Sequence, residues 1–156
     1  MNTLLLPLAK FSGSDLDSHL EYMRKTRNNS KHYMTRFRDE ITSDMQKSWY
    51  SNISNNIIPY IFIAGENGVV FYPMGYGIVN IENKSAMITG VISQSERGNG
   101  YGRDLFTALV KEAEKMTKKV SLEVLETNTI GITLYKSIGF VETNRDHDVI
   151  TMELKK

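Results

Sequence analysis

Gly98, Gly100 and Gly102 alternate at the threshold of a long one-sided helix, and this junction narrows the choice of fold sharply. From Tyr101 onward, Leu105, Phe106, Leu109, Val110, Ala113 and Met116 recur at the helical period, with Lys111, Glu112, Glu114 and Lys115 on the opposite side. Such a stripe needs an apolar surface to lie on, and residues 86–92, just before the glycines, read as a strand that can help to provide it. Glycine takes positive φ without penalty and lets a ligand come close to the backbone. The first amides of a helix lack internal acceptors, and its dipole adds about half a positive charge there, so a phosphate or pyrophosphate is the natural guest. Arg97 and Arg103 add formal charge nearby. A plain strand-to-helix turn is the alternative reading of the glycines alone. Three other glycine loops do not fit: the dinucleotide fingerprint wants glycine where Arg103 stands, the triphosphate loop wants Gly-Lys-Ser or Gly-Lys-Thr, and a protein kinase exceeds 156 residues.

The rest of the chain supplies the other elements of an α+β domain. Leu16, Leu20 and Met23 have helical spacing over 15–24 behind Ser12 or Ser14, and Met45, Trp49 and Ile53 have it over 44–53 behind Thr42 or Ser43. Residues 60–64, 76–81 and 86–92 read as an antiparallel meander, with turns at Glu66-Asn67-Gly68 and Glu82-Asn83-Lys84. After the long helix come a strand over 120–125, a helix over 129–138 and short strands over 140–142 and 149–154. The passage from 86 to 125 is strand, helix, strand, and should hold the only parallel pairing.

Length and charge bound what such a domain does. With 156 residues, no linker-like stretch and no repeat, residues 1–156 are expected to form one domain. Lys and Arg total 19 against 18 Asp and Glu, which speaks against nucleic acid or an anionic membrane as partner. No cysteine is present, so disulfides and thiolate chemistry are excluded. Leu4-Leu5-Leu6 is stopped by Pro7 and falls far short of the roughly 20 residues needed to span a bilayer. A cytoplasmic location and no metal are expected.

Arg97, Gly100 and Gly102 resemble the acetyl-CoA loop of the GNAT family of N-acetyltransferases, which reads Arg or Gln, two residues, Gly, one residue, Gly or Ala. Leu122, Val124, Asn128, Tyr135 and Gly139-Phe140 match a second family segment in spacing and order. Gly131 stands where alanine is usual. The resemblance covers residues 76–140 and implies the GNAT fold, a mixed and mostly antiparallel sheet flanked by helices around a strand-helix-strand acetyl-CoA core. The more variable 12–56 segment would then face the acceptor. It also implies that Val91 and Ile92 offer backbone to the coenzyme, that Gly98, Asn99, Gly100, Tyr101, Gly102 and Arg103 cradle its pyrophosphate beside Arg97, and that Asn128 touches its arm, although a helix N-cap is the ordinary reading of Asn128. Tyr135 would be the acid toward the departing sulfur, against the ordinary reading of core packing.

Acetyl transfer consumes the neutral amine, about one molecule in a thousand at pH 7 for a pKa near 10, a cost of about 4 kcal/mol. A base or relaying water is therefore expected. Residues 86–92 contain no carboxylate, and Glu123, Glu82, His32 and a backbone-held water all stay open. Arg27-Asn28 and Gln46 to Tyr50 loosely resemble members that acetylate nucleotide-linked amino sugars. A small-molecule amine of that kind is the expected acceptor, the alternatives being a protein or peptide amine, or an acyl-CoA-binding module without turnover. A homodimer would need a free edge, for which 60–64 or the C-terminal strand are candidates.

Overall fold

Alternation of apolar residues along 57–66, 70–82 and 85–92 builds the left half of the sheet, and the computed structural model describes this and the remainder of the chain over residues 2–66 and 70–155. Among the described residues seven strands form one sheet in the order β1-β2-β3-β4-β5-β7-β6. They are β1 (Asn2–Pro7), β2 (Ile57–Glu66), β3 (Val70–Glu82), β4 (Ser85–Ile92), β5 (Lys119–Leu125), β6 (Phe140–Asp146) and β7 (Val149–Leu154). The α-helices that cover it among the described residues are α1 (Gly13–Asn29), α2 (Ser43–Ser51), α3 (Tyr101–Glu114) and α4 (Thr129–Ile138). The meander of β2, β3 and β4 is antiparallel as expected. The turn read at Glu66-Asn67-Gly68 lies outside the described residues, apart from Glu66 at the end of β2.

The sheet has two apolar faces because the strands alternate. Tyr60, Phe62 and Ala64 of β2, Ala86 and Ile88 of β4, and Val120, Leu122 and Val124 of β5 pack beneath Leu105, Phe106, Leu109, Val110 and Ala113 of α3 and Tyr135 of α4. Ile61, Ile63, Tyr76 and Val91 point the other way, against Leu20 and Met23 of α1. A bulge between Phe62 and Ile63 shifts the β2–β3 register, and Met74 is buried in the first of these clusters.

The structure corrects several expectations. Leu4-Leu5-Leu6, where the sequence announces no element, belongs to an edge strand, β1, with Leu6 opposite Ile61 and Leu4 opposite Ile63. Residues 60–64 and the last strand are interior, since β2 lies between β1 and β3 and β7 between β5 and β6, so neither can serve as the free edge of a dimer; the edges are β1 and β6. Met116 lies beyond the end of α3 and is 43% exposed, because the helix has stopped before the stripe could carry it under. In α2 the helix ends at Ser51, short of Ile53, and Gln46 rather than Met45 is buried. The cap is as expected: Thr42 Oγ1 accepts from Met45 N at 3.1 Å. Replacing Thr42 with alanine should cost about 1 kcal/mol in urea unfolding.

Candidate active site at the parting of two strands

Among the described residues parallel pairing is confined to Ser85, Ala86 and Met87 of β4 against Lys119, Val120 and Ser121 of β5. Beyond these residues β5 keeps its pairing with β7 from Ser121 to Leu125, whereas the β5-facing edge of β4 from Ile88 onward has no strand partner among the described residues. The two strands therefore part, and an acceptor- and donor-bearing backbone edge is left open. β4 ends at Ile92 and runs through a short turn into the glycines.

Gly98 (φ +82°) and Gly100 (φ +84°) both sit in the left-handed region, and a Cβ at either would meet nothing within 4 Å. The requirement for glycine here is backbone conformation and open space outside. Gly100 is the N-cap of α3 and has no side chain with which to satisfy the first amides of the helix. Asn99 is turned back, its Nδ2 donating to Glu96 O at 3.3 Å. Gly102 faces α4, where a Cβ would lie 3.2 Å from Leu134 Cδ2. The amides at this end of α3 are thus positively polarised and suited to a phosphate group.

The two arginines beside the turn are engaged with protein. Arg97 Nε donates to Ile92 O at 3.3 Å, its Nη2 donates to Ser30 Oγ, and its guanidinium lies over the Tyr33 ring at 5.3 Å. Arg97 therefore closes the turn against the end of α1, with Ser30 1% exposed beneath it. Arg103 Nη2 donates to Ser137 Oγ at 2.6 Å, tying α3 to α4. Ser30 and Tyr33 carry no motif signal, since their part depends on contact across 64 or more residues of chain.

Tyr135 comes into line with the open edge through one aromatic ring. Phe106 of α3 packs so closely on β4 that a Cβ at Gly90 would lie 2.9 Å from its ring atoms. The same ring meets Tyr135 at 4.8 Å between centroids, and Phe140 closes on Tyr135 edge-on at 6.4 Å. Burial pushes the Tyr135 phenol up to about 12, so it is neutral throughout the physiological range. Among the described residues its hydroxyl has no hydrogen-bond partner, and it is not sealed from solvent.

Asn128 performs the N-cap: its Oδ1 accepts from Gly131 N at 3.0 Å. The side chain folds so tightly over Gly131 that a Cβ there would stand 2.7 Å from Asn128 Nδ2, so glycine at 131 suits this rotamer better than alanine. Of the candidate bases, Glu123 accepts from Thr35 Oγ1 at 3.2 Å and from Arg36 Nε at 2.9 Å. His32 stacks on Tyr33, and Glu82 is exposed at the end of β3. Arg27 donates to the carbonyls of Phe37 and Asp39, and Asn28 exchanges hydrogen bonds with Ile41, so both shape the segment between α1 and α2. Trp49 packs with Tyr50 against the α1-side cluster and also lines a surface hollow with Met45, Ile53 and Ile57. Among the described residues no cluster of three His, Asp or Glu could hold a metal, and no helix is long and apolar enough to cross a membrane.

Solved structures share this architecture. A domain from Methanocaldococcus jannaschii superposes with a TM-score of 0.80 at 18% identity, over 98% of this chain and 97% of that one. The spermidine N-acetyltransferase of Vibrio cholerae, in complex with CoA and spermine, follows at 0.79 and 19% identity, over 97% and 94%. The Salmonella typhimurium protein yncA, with acetyl-CoA, gives 0.73 and 17%, over 99% and 94%. At these identities the likeness establishes the fold alone. No curated protein sequence matches the chain. The family model described as acetyltransferase (GNAT) family matches residues 21–140, more than half of the chain. With the parted strands, the glycine turn and that match together, the chain belongs to the GNAT family and is an acetyl-CoA-dependent N-acetyltransferase.

Proposed function

We propose that the whole chain acts as one domain that moves the acetyl group of acetyl-CoA to the primary amine of a small molecule by direct attack. The observation that carries this reading is the open edge of β4 leading into the glycine turn. In this reading the pyrophosphate lies on the amides of Gly98, Asn99, Gly100, Tyr101, Gly102 and Arg103. Arg97 holds the turn in shape from behind. The pantetheine arm replaces the missing strand along β4, and the backbone of Val91 and Ile92 meets the thioester end, where an amide stabilises the oxyanion of the tetrahedral intermediate. The amine nitrogen bonds to the acetyl carbon and gives up its surplus proton to water, the carbon–sulfur bond breaks, and Tyr135, neutral at its raised pKa, donates a hydrogen bond or its proton to the leaving sulfur. The acetyl-CoA core then spans 76–140, and 12–56 forms the acceptor side.

In this reading residues 30–42, held by Arg27, Asn28 and Arg38, form the wall that the acceptor meets, and the acceptor is a small molecule. Free-thiol release from acetyl-CoA with spermidine, a nucleotide-linked amino sugar, an aminoglycoside, a neutral arylamine and a lysine peptide tests the reading. Release with a small amine is expected; acetyl-CoA binding with no release for any of the five would make the chain a binding module instead.

Asn128 separates its two roles by substitution. Aspartate caps a helix as well as asparagine but offers no amide donor. If Asn128 Nδ2 reaches the coenzyme arm, Asn128→Asp keeps the melting temperature and weakens acetyl-CoA binding in calorimetry. Asn128→Ala should lower stability as well, by about 1 kcal/mol.

A further inference from the structure

Strand alternation puts Val120, Leu122 and Val124 of β5 under α3 and α4, which leaves Glu123 on the opposite face, the one covered by α1 and residues 30–42. Its position is singular: two residues beyond Ser121, the last β5 residue paired with β4. The Glu123 carboxylate accepts from Thr35 Oγ1 at 3.2 Å, Arg36 Nε at 2.9 Å and Arg36 Nη2 at 3.0 Å. Arg36 Nη2 also lies 3.9 Å from Met87 Sδ, and Met87 is the last β4 residue paired with β5. One guanidinium thus bridges the two strands at the point where they part.

The two members of this ion pair are unequally placed. The Glu123 side chain is 18% exposed and the Arg36 side chain 73% exposed. An exposed guanidinium on a loop is held weakly by such a contact and is easily exchanged. A carboxylate this covered keeps its demand for a cation whatever supplies it. An ammonium group entering beside the β4 edge would meet that same carboxylate, with Thr35 still in place as a hydrogen-bond donor.

We propose that Glu123 receives the acceptor amine in its charged form, and that this ammonium displaces Arg36 from it before the nitrogen loses its proton and attacks. Arg36 is then a competitor for Glu123, and the acceptor class is a cationic alkyl amine. The proposal rests on the acetyltransfer reading above. The exchange itself involves no covalent step: one cation leaves the carboxylate as another arrives.

Two variants break the same ion pair from opposite sides, so any purely structural role of that pair is common to both. Steady-state kinetics are measured with acetyl-CoA and whichever cationic amine of the panel releases thiol fastest. Glu123→Gln should raise the amine KM about tenfold or more and leave the acetyl-CoA KM within about twofold. Arg36→Met should leave the amine KM unchanged or lower it. Equal rises in both variants would overturn the proposal, showing that the pair only holds residues 30–42 in place. A fall in amine KM for Glu123→Gln would also overturn it, by showing that Arg36 is the receptor and the acceptor an anionic amine. Thiol release by the unaltered chain with the neutral arylamine alone would defeat the cationic class. Absence of release with every amine of the panel would instead overturn the transferase reading itself.

Discussion

Replacing Tyr135 with phenylalanine should lower kcat by about a hundredfold while the KM for acetyl-CoA stays within about twofold. The aromatic packing on Phe106 and Phe140 survives the change, so the fold and the coenzyme cleft are kept. What disappears is the hydroxyl, which has no partner among the described residues and so contributes little to stability. The pH profile supplies a second readout. The phenol is raised to about 12 by burial, so it stays protonated well above neutrality, and the rate should climb from pH 7 to 9 as the amine loses its proton, with no descending limb from Tyr135 in that range. Steady-state kinetics over that range check both expectations; turnover unchanged in the phenylalanine variant would remove Tyr135 from the chemistry.

The largest effect on stability is expected from Gly75→Ala. Gly75 pairs with Ile92 across β3 and β4, and a Cβ there would fall inside contact distance of the Val91 carbonyl oxygen and 3.2 Å from Ile92 Cα. The obstacle is backbone on an interior strand, which cannot rotate away as a side chain could. Either the ladder opens at its end or β4 shifts, at a cost of about 3 kcal/mol, and Tm should fall by roughly 6–12 °C. The shift would also move Val91 and Ile92, which the proposed mechanism places at the thioester, so the acetyl-CoA KM should rise together with the loss of stability. Thermal melting of the two proteins decides the first point, and an unchanged Tm would mean that the strands already have slack there.

Local pattern made much of the fold readable. The stripe of α3, the cap at Thr42, the meander and the span of α4 over 129–138 all follow from interactions within a few residues. What was missed or misread depended on what lies beside an element. Leu4-Leu5-Leu6 is too short a run to announce a strand until β2 is there to pair with it. Residues 60–64 look like a possible edge until the same partner covers them. Met116 continues the helical period on paper, but α3 stops first.

The candidate site divides in the same way. The glycine turn could be read because positive φ and an uncapped helix start are properties of the chain itself, and Gly98 and Gly100 carry them with no neighbour nearby. That Arg97 would turn away to Ser30 and Tyr33, that Gly90 must be bare because Phe106 lies on it, and that Glu123 would find Arg36 across 87 residues were decided only by the tertiary structure. Backbone conformation and periodicity are local and are written in the sequence; the partner of a charge or a ring is set by packing, which brings distant residues within a few ångströms and leaves no trace in their spacing.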